Sequence, residues 1–388
     1  MTDSTKQTPS FTIGLDIGSR VCHYAILDSV GNEVESGKLV TRKDSVDSFF
    51  RRTAKVRVVL ETCTESGWIS RIIESRGHEA IVAHSRSLRA ICDTPNKSDR
   101  IDAKTLAQLA FVDDRIHNLK RVKPRGAEAH AHLSILRARD AMVAARTGLV
   151  NHVRSVVKSC GLKIPGSSTR AFPDRAKENI PEEVHRAILP VIESIRELGV
   201  HIRDYDRQVV ELCKTRYPET EFLRQVTGVG YLTALAFVLV IENPHRFARS
   251  RQVGAYLGLV PARDQSGQWD PQLGITKCGN SFLRRLLVGS AQYILGPFNK
   301  EDSHLKEYGL GICQRGGKNA KRRAVVAVAR KLAVLLHHLW VSGEKYDPLR
   351  NAKSKGIPET TGSPASREPG RMAADYVRSR KASRESAA

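Results

Sequence analysis

The stretch FTIGLDIGSRVCHYAILD, Phe11 to Asp28, constrains this chain more than any other. Ile13, Leu15 and Ile17 alternate with Thr12, Gly14 and Asp16, the period of a strand with one face on a core. The run turns at Gly18-Ser19-Arg20 and resumes as a second apolar segment, Val21 to Leu27. Beyond Gly31-Asn32 a third strand is expected over Glu33 to Val40. Asp16 is the odd residue here. A carboxylate among apolar neighbours is costly unless it is paired, hydrogen-bonded or bound to a metal. It either caps the turn through Ser19 or Arg20, or it belongs to a site completed by acids elsewhere.

Three further acids stand in suitable places. After a short helix over Ser45 to Thr53, VRVVLET (56–62) reads as a buried parallel strand carrying Glu61 at its end. A helix from Gly67 to about Ser75 and a strand, HEAIVAH (78–84), complete an α/β domain with a mixed sheet, placed at 11–112. NKSDRIDAKTLAQLA, Asn96 to Ala110, is a helix capped by Ser98 or Asp99, with Leu106, Leu109 and Ala110 on its apolar face. Asp99 and Asp102 are three apart and leave one side of its first turn. Acids there also favour the helix dipole. Two carboxylates on a helix face and two on strand ends nevertheless form an oxygen cage suited to Mg²⁺.

Charge bears on the partner. Lys and Arg outnumber Asp and Glu 63 to 41, a surplus of +22, which favours a polyanion, nucleic acid first. No apolar run approaches the roughly 18 residues of a spanning helix, and the N-terminus lacks a secretory apolar core, so no membrane partner is expected. Seven scattered cysteines, never spaced C-x-x-C, argue against a zinc site or a disulfide framework and suit a reducing cytoplasm. Between Arg115 and Lys163 there are eleven Lys or Arg against two acids, on a segment helical from Gly126 to Cys160. Arg137, Arg139, Arg146 and Arg154 are the residues expected at phosphates. Lys163 to Lys177 reads as a loop. From Pro181 a second long helix carries nine apolar positions in 4,3 alternation, Val184 to Leu212, a coiled-coil seam for the preceding helix or for another subunit, kinked near Pro190. This basic long-helix region occupies 113–220.

The C-terminal part, 221–350, is expected to be mainly α. Gly228-Val229-Gly230 ahead of an apolar helix resembles the hairpin of helix-hairpin-helix modules, whose glycines let backbone amides approach a phosphate. A plain tight turn has the same pattern. Lys277, Asn280, Arg284 and Arg285, then Lys321, Arg322 and Arg323 in RGGKNAKRRAVVAVARK, are further expected nucleic-acid contacts. The tail from 351 to 388 lacks periodicity and reads as disordered.

GLDIGS, VLET and KSDRIDA together resemble the N-terminal domain of the DEDD insertion-sequence transposases, the IS-one-ten family. Tyr256-Leu257-Gly258-Leu259-Val260-Pro261, Ser266-Gly267, Gly274 to Asn280 and Leu283-Arg284-Arg285 match the same family's C-terminal domain, and the resemblance spans about residues 11 to 350. It implies an RNase H/RuvC-like N-terminal fold and a metal-binding tetrad at Asp16, Glu61, Asp99 and Asp102. It also implies a nucleophilic serine at Ser266, a structured bridge RNA that pairs with target and donor DNA, and a site assembled between subunits. Ser281 is the rival serine, because it would otherwise be a helix N-cap. Gln268 to Leu273 departs from the basic, glycine-rich residues usual after the serine.

The function expected is therefore DNA transposition by Mg²⁺-dependent cleavage and rejoining, in a cytoplasmic, nucleoid-associated, prokaryotic homo-oligomer, a dimer or tetramer. Three readings compete. A junction endonuclease would use water instead of Ser266. A sugar-kinase-like ATPase would share Asp16-Ile17-Gly18-Ser19 but needs a second aspartate-glycine loop, which the chain lacks. A non-catalytic scaffold would explain the charge and not the acids.

Overall fold

The computed structural model describes residues 11–84, 98–112, 121–267, 269–271 and 273–350, with the backbone alone for 110–112. Asn96, Cys92, Arg115, Gln268, Gln272 and the tail from 351 lie outside the described residues. The chain divides into two compact units, one up to Glu128 and one from Ala129.

The first unit is built on a five-stranded sheet in the order β3-β2-β1-β4-β5. Strands β1 (Thr12–Ile17), β2 (Val21–Leu27) and β3 (Glu33–Val40) form an antiparallel meander, and β4 (Arg57–Glu61) and β5 (Glu79–Ala83) run parallel to β1. The parallel pairing follows from the helical crossovers, α1 (Lys43–Arg52) and α2 (Ser66–Ser75). Strand alternation sorts the sheet's two faces. Ile13 and Leu15 of β1, Cys22 of β2 and Val58 and Leu60 of β4 pack with Val46 and Phe50 of α1 and Ile69 and Ile73 of α2. The opposite face receives α3 (Asp99–Val112): Ala103 and Ala107 sit on Ala25 and Leu27, and Leu106 and Leu109 on Val59, Ile81 and Ala83. The outer edge of β5 is covered by Arg121-Val122, where the Val122 amide donates to the Val82 carbonyl at 2.7 Å.

The second unit is helical. Two long helices, α4 (Ala127–Ser159) and α6 (Glu182–Thr215), lie antiparallel, with Val150 and Val153 of α4 packed on Ile188, Ile192 and Ile195 of α6. Ile188 and Ile195 of the expected seam thus pack on the preceding helix of the same chain. The helix runs through Pro190, whose missing N–H removes one backbone bond, and Pro181 stands as its N-cap residue. Between them the expected loop contains a short helix, α5 (Phe172–Lys177). Phe172 and Ala176, one turn apart, are buried in the α4/α6 core, and Pro173 sits in the first turn, where it costs no hydrogen bond.

A larger core surrounds α8 (Tyr231–Ile241), in which every residue from Thr233 to Ile241 is buried. Around it stand α7 (Thr220–Arg224), one 3₁₀ turn (Pro244–Arg246), α9 (Arg251–Tyr256), α10 (Ser281–Ile294), α11 (His304–Gln314) and α12 (Ala320–Ser342). By length and composition α12 could cross a membrane, closer to a spanning helix than the sequence suggested. It is a core helix. Ala324, Val328, Leu332, Leu336 and Leu339 are buried within this unit, and its first turn carries Lys321, Arg322 and Arg323.

Candidate active site

The four acids belong to one end of the sheet in the first unit. Asp16 follows Leu15 on β1 and Glu61 follows Leu60 on β4, and those leucines are register partners in a parallel pair. Alternation turns Asp16 toward the face covered by α3, whereas Leu15 enters the opposite core. The helix reaches that face through a glycine. A Cβ on Gly14 would lie 1.9 Å from the Ala103 carbonyl oxygen and 2.2 Å from the Ala107 amide nitrogen, so only glycine lets α3 come this close to β1. The Thr12 hydroxyl adds a hydrogen bond to the Ala107 carbonyl at 3.2 Å. In the first two turns of α3, Arg100 and Lys104 pair with Glu33 of β3, each at 3.1 Å. The Ser98 hydroxyl accepts from the Ile101 amide at 3.4 Å and starts the helix, as its sequence position suggested.

This seating brings Asp99 and Asp102 to Asp16. Burial, then the like charges of Asp102 and Asp99, push the Asp16 carboxyl up to about 6, with His23 acting in the opposite sense and Glu61 adding a smaller push. A lone aspartate capping a turn would not carry that perturbation from three other acids. Donor atoms of Asp16, His23 and Asp99 lie within 4.8 Å of one another, and His23 Nδ1 is 3.4 Å from Asp99 Oδ2. Clustered carboxylate oxygens, held against their mutual repulsion at a helix N-terminus, are the donor set that a hard divalent cation stabilises. The residues present therefore fit a divalent metal.

Three residues of this arrangement escaped the sequence reading. His23 was legible by counting back across the β1–β2 hairpin, which pairs it with Asp16. Gly14 and Glu33 carried no signal, because their roles depend on where α3 lands.

Ser266 is in the second unit, at the exposed tip of an arm running from Gly258 to Gly279. Val260, Pro261 and Ala262 face Thr276, Ile275 and Gly274, with backbone bonds from Thr276 to Val260 (2.9 Å) and from Ala262 to Gly274 (2.8 Å). At the tip Ser266 exchanges two backbone bonds with Trp269, at 3.0 and 2.9 Å, and Gly267 takes φ +56. The base is interlocked. A Cβ on Gly258 would lie 2.1 Å from the Cys278 carbonyl oxygen, and one on Gly279 would lie 2.0 Å from that of Tyr256. Arg284 ties both sides, donating to the Leu257 and Cys278 carbonyls, each at 3.0 Å. Asn280, and not Ser281, caps α10, its side chain accepting from the Leu283 amide at 2.9 Å.

One wall of the arm faces a cleft of about 1800 Å³, lined by nine Lys or Arg, among them Arg251, Lys277, Arg322, Arg330 and Arg350, and by two acids, Asp270 and Asp347. Lys277 and Arg322 were expected at nucleic acid, and Arg323 also lines this cleft while donating to the Gly316 carbonyl at 2.9 Å. Lys321 is exposed on the same turn of α12. The other expected contacts are spread over the unit. Arg137 is exposed on α4, Arg139 is paired with Asp206 of α6 at 2.5 Å, and Arg146 lies half-buried near Gly199. Arg154 lies over the Phe172 ring at 5.3 Å, and Arg285 pairs with Asp140 at 2.5 Å. Gly228 takes φ +89 at a turn, where a Cβ would lie 3.1 Å from the Ser290 carbonyl oxygen, and Gly230 is the N-cap of α8.

Comparison with known proteins finds matches in both units. Residues 13–161 match a DEDD transposase model of the IS110 type, and residues 220–309 match the transposase IS116/IS110/IS902 family. The chain belongs to the IS110 family of transposases. The transposase for insertion sequence element IS1111A of Coxiella burnetii is 27% identical over 344 residues, covering 86% of this chain and 90% of its own length. A putative transposase, y4pF/y4sB, of Sinorhizobium fredii is 27% identical over 345 residues, 86% of this chain and 85% of its own. A probable family 20 transposase of Pseudomonas aeruginosa is 25% identical over 342 residues, 87% of this chain and 98% of its own. This transposase thus aligns along most of the length of these three relatives, and the DEDD model spans all four acids of the site.

Proposed function

We propose that this insertion-sequence transposase cuts and rejoins DNA with the acid site of its first unit and Ser266 of its second, working as a homo-oligomer guided by a structured non-coding RNA. The observation that carries the reading is the convergence of Asp99 and Asp102 on Asp16, with Glu61 on the adjacent strand end. The antiparallel meander followed by two parallel strands supports the RNase H/RuvC-like assignment that the resemblance implied.

Asp16, Glu61, Asp99 and Asp102 would hold the metal, Mg²⁺ in this reading. When bound, such an ion supplies positive charge against a scissile phosphate and polarises it. Ser266 Oγ attacks the phosphorus. As the Oγ–P bond forms, the P–O bond to the departing strand end breaks. The leaving oxygen takes up a proton and the serine loses its own to a general base. One phosphoester replaces another, so reversal by a different strand end rejoins the DNA without an external energy source. The exposed arm tip leaves Ser266 accessible to a strand, and the basic cleft supplies cationic surface for the backbone. The RNA rests on the family resemblance together with this cationic surface.

Strand cleavage in Mg²⁺ tests the tetrad. Asp16→Asn, Glu61→Gln, Asp99→Asn and Asp102→Asn should each abolish cleavage of duplex carrying the element's ends while leaving DNA affinity within about twofold, since none removes a cationic phosphate contact. Full cleavage by any two of these variants would remove the tetrad from the mechanism.

A further inference from the structure

We infer that His23 is a nitrogen ligand of the divalent ion in the acid site and tightens that site for Mn²⁺ more than for Mg²⁺. The inference rests on the reading of Asp16 and Asp99 as metal ligands. It starts from register. Antiparallel pairing sets His23 of β2 directly opposite Asp16 of β1, and directly opposed residues present their side chains on the same face. That is the face on which Ala25 and Leu27, the next residues of β2 in the alternation, meet α3. The imidazole is held at the floor of the site with its side chain only 18% accessible.

The distances fit ligation. His23 Nδ1 is 3.4 Å from Asp99 Oδ2, and one donor atom from each of Asp16, His23 and Asp99 falls within a 4.8 Å span. Two donors at about 2.2 Å from one ion lie roughly 3 Å apart when adjacent and about 4.4 Å apart when opposed, so closing by a few tenths of an ångström seats an ion between all three. A simpler role is a charge partner that orients Asp99. An imidazole aimed only at Asp99, however, would not need a donor atom within 4.8 Å of the Asp16 carboxyl across the strand pair.

Nitrogen ligation has a chemical consequence. Mg²⁺ prefers oxygen donors and gives up its waters reluctantly, whereas first-row transition ions accept imidazole more readily. Loss of the ring should therefore weaken Mn²⁺ binding about tenfold or more, and Mg²⁺ binding by less than about threefold.

Pulsed electron paramagnetic resonance of Mn²⁺ bound to the full-length protein reads the ligand directly, because a coordinated nitrogen modulates the echo decay. The unaltered chain should show that modulation. His23→Asn, folded by its circular dichroism and melting temperature, should bind Mn²⁺ without it, with the unequal loss of affinity measured by calorimetry. Asp16→Asn separates the two levels of the argument. If it binds Mn²⁺ as the unaltered chain does, the acid site is not the metal site, and both the proposed mechanism and this inference fall. If Asp16→Asn loses the ion but His23→Asn keeps the nitrogen modulation, only the role of His23 is overturned. Equal losses for Mn²⁺ and Mg²⁺ in His23→Asn would likewise overturn it, leaving an orienting role for the ring.

Discussion

At Gly14 the first unit has no room for a side chain, and the acid site depends on that single absence. A methyl group there would meet the backbone of α3 at 1.9 and 2.2 Å, and backbone cannot swing aside as a flexible side chain can. Gly14→Ala should therefore push α3 off the sheet, at a cost of about 1–3 kcal/mol or more in unfolding free energy. It should also remove divalent-ion binding and cleavage, although all four acids remain. Gly31→Ala is the control, since its Cβ would meet nothing within 4 Å, although its φ of +96 carries its own modest strain. Glu33 acts on the same helix through charge. Hydrogen bonds from Arg100, then Lys104, then Ser36, hold its carboxyl down at about 2. A depressed carboxylate stabilises the folded state at pH above its unfolded value, near 4.3, and that contribution disappears as pH falls toward 2. Thermal melts between pH 5 and 2.5 should show a smaller loss of stability for Glu33→Gln than for the unaltered chain. Parallel curves would mean that the clamp adds nothing to folding.

Among the elements, the α4/α6 hairpin and the Ser266 arm are built for opposite ends. The hairpin is packed: Ile195 of α6 is 1% exposed beside Val150 and Val153, so Ile195→Ala should cost about 2–5 kcal/mol in a denaturant titration. Its basic residues divide by partner. Arg139 is tied to Asp206, whereas Arg154 is exposed with its guanidinium over Phe172. Should Arg154 reach a phosphate, Arg154→Ala would make the slope of log K against log salt shallower by about one unit. An unchanged slope would confine Arg154 to its stacking role. Much of this was legible beforehand. The alternation of Phe11 to Asp28 and the turn at Gly31-Asn32 give β3 its bounds to the residue, Glu33–Val40. The acids stood out as carboxylates at element ends. Less legible were features set by packing between distant segments. The buried pair Phe172 and Ala176 makes a helix of what its prolines, glycine and serines mark as loop. Arg284, read as a phosphate contact, is engaged with two carbonyls at the base of the arm, a role that the spacing of Gly258 and Gly279 alone does not reveal.

At the scale of the whole chain, the transposase joins two kinds of site: carboxylates on a sheet in one unit, and a serine on an exposed arm beside a cationic cleft in the other. Neither suffices alone for the chemistry proposed. A cluster of acids with water as nucleophile would make a hydrolytic nuclease, and the cleft without the acids would make a binding protein. The covalent state of the cut strand separates these. Reactions with Mg²⁺ and DNA carrying the element's ends, denatured and resolved by size, should contain protein covalently attached to the cleaved strand. Ser266→Ala should lose both adduct and cleavage, and Ser281→Ala should keep both. Cleavage by Ser266→Ala at the unaltered rate, with no adduct in any reaction, would contradict the account and leave the chain a hydrolytic endonuclease.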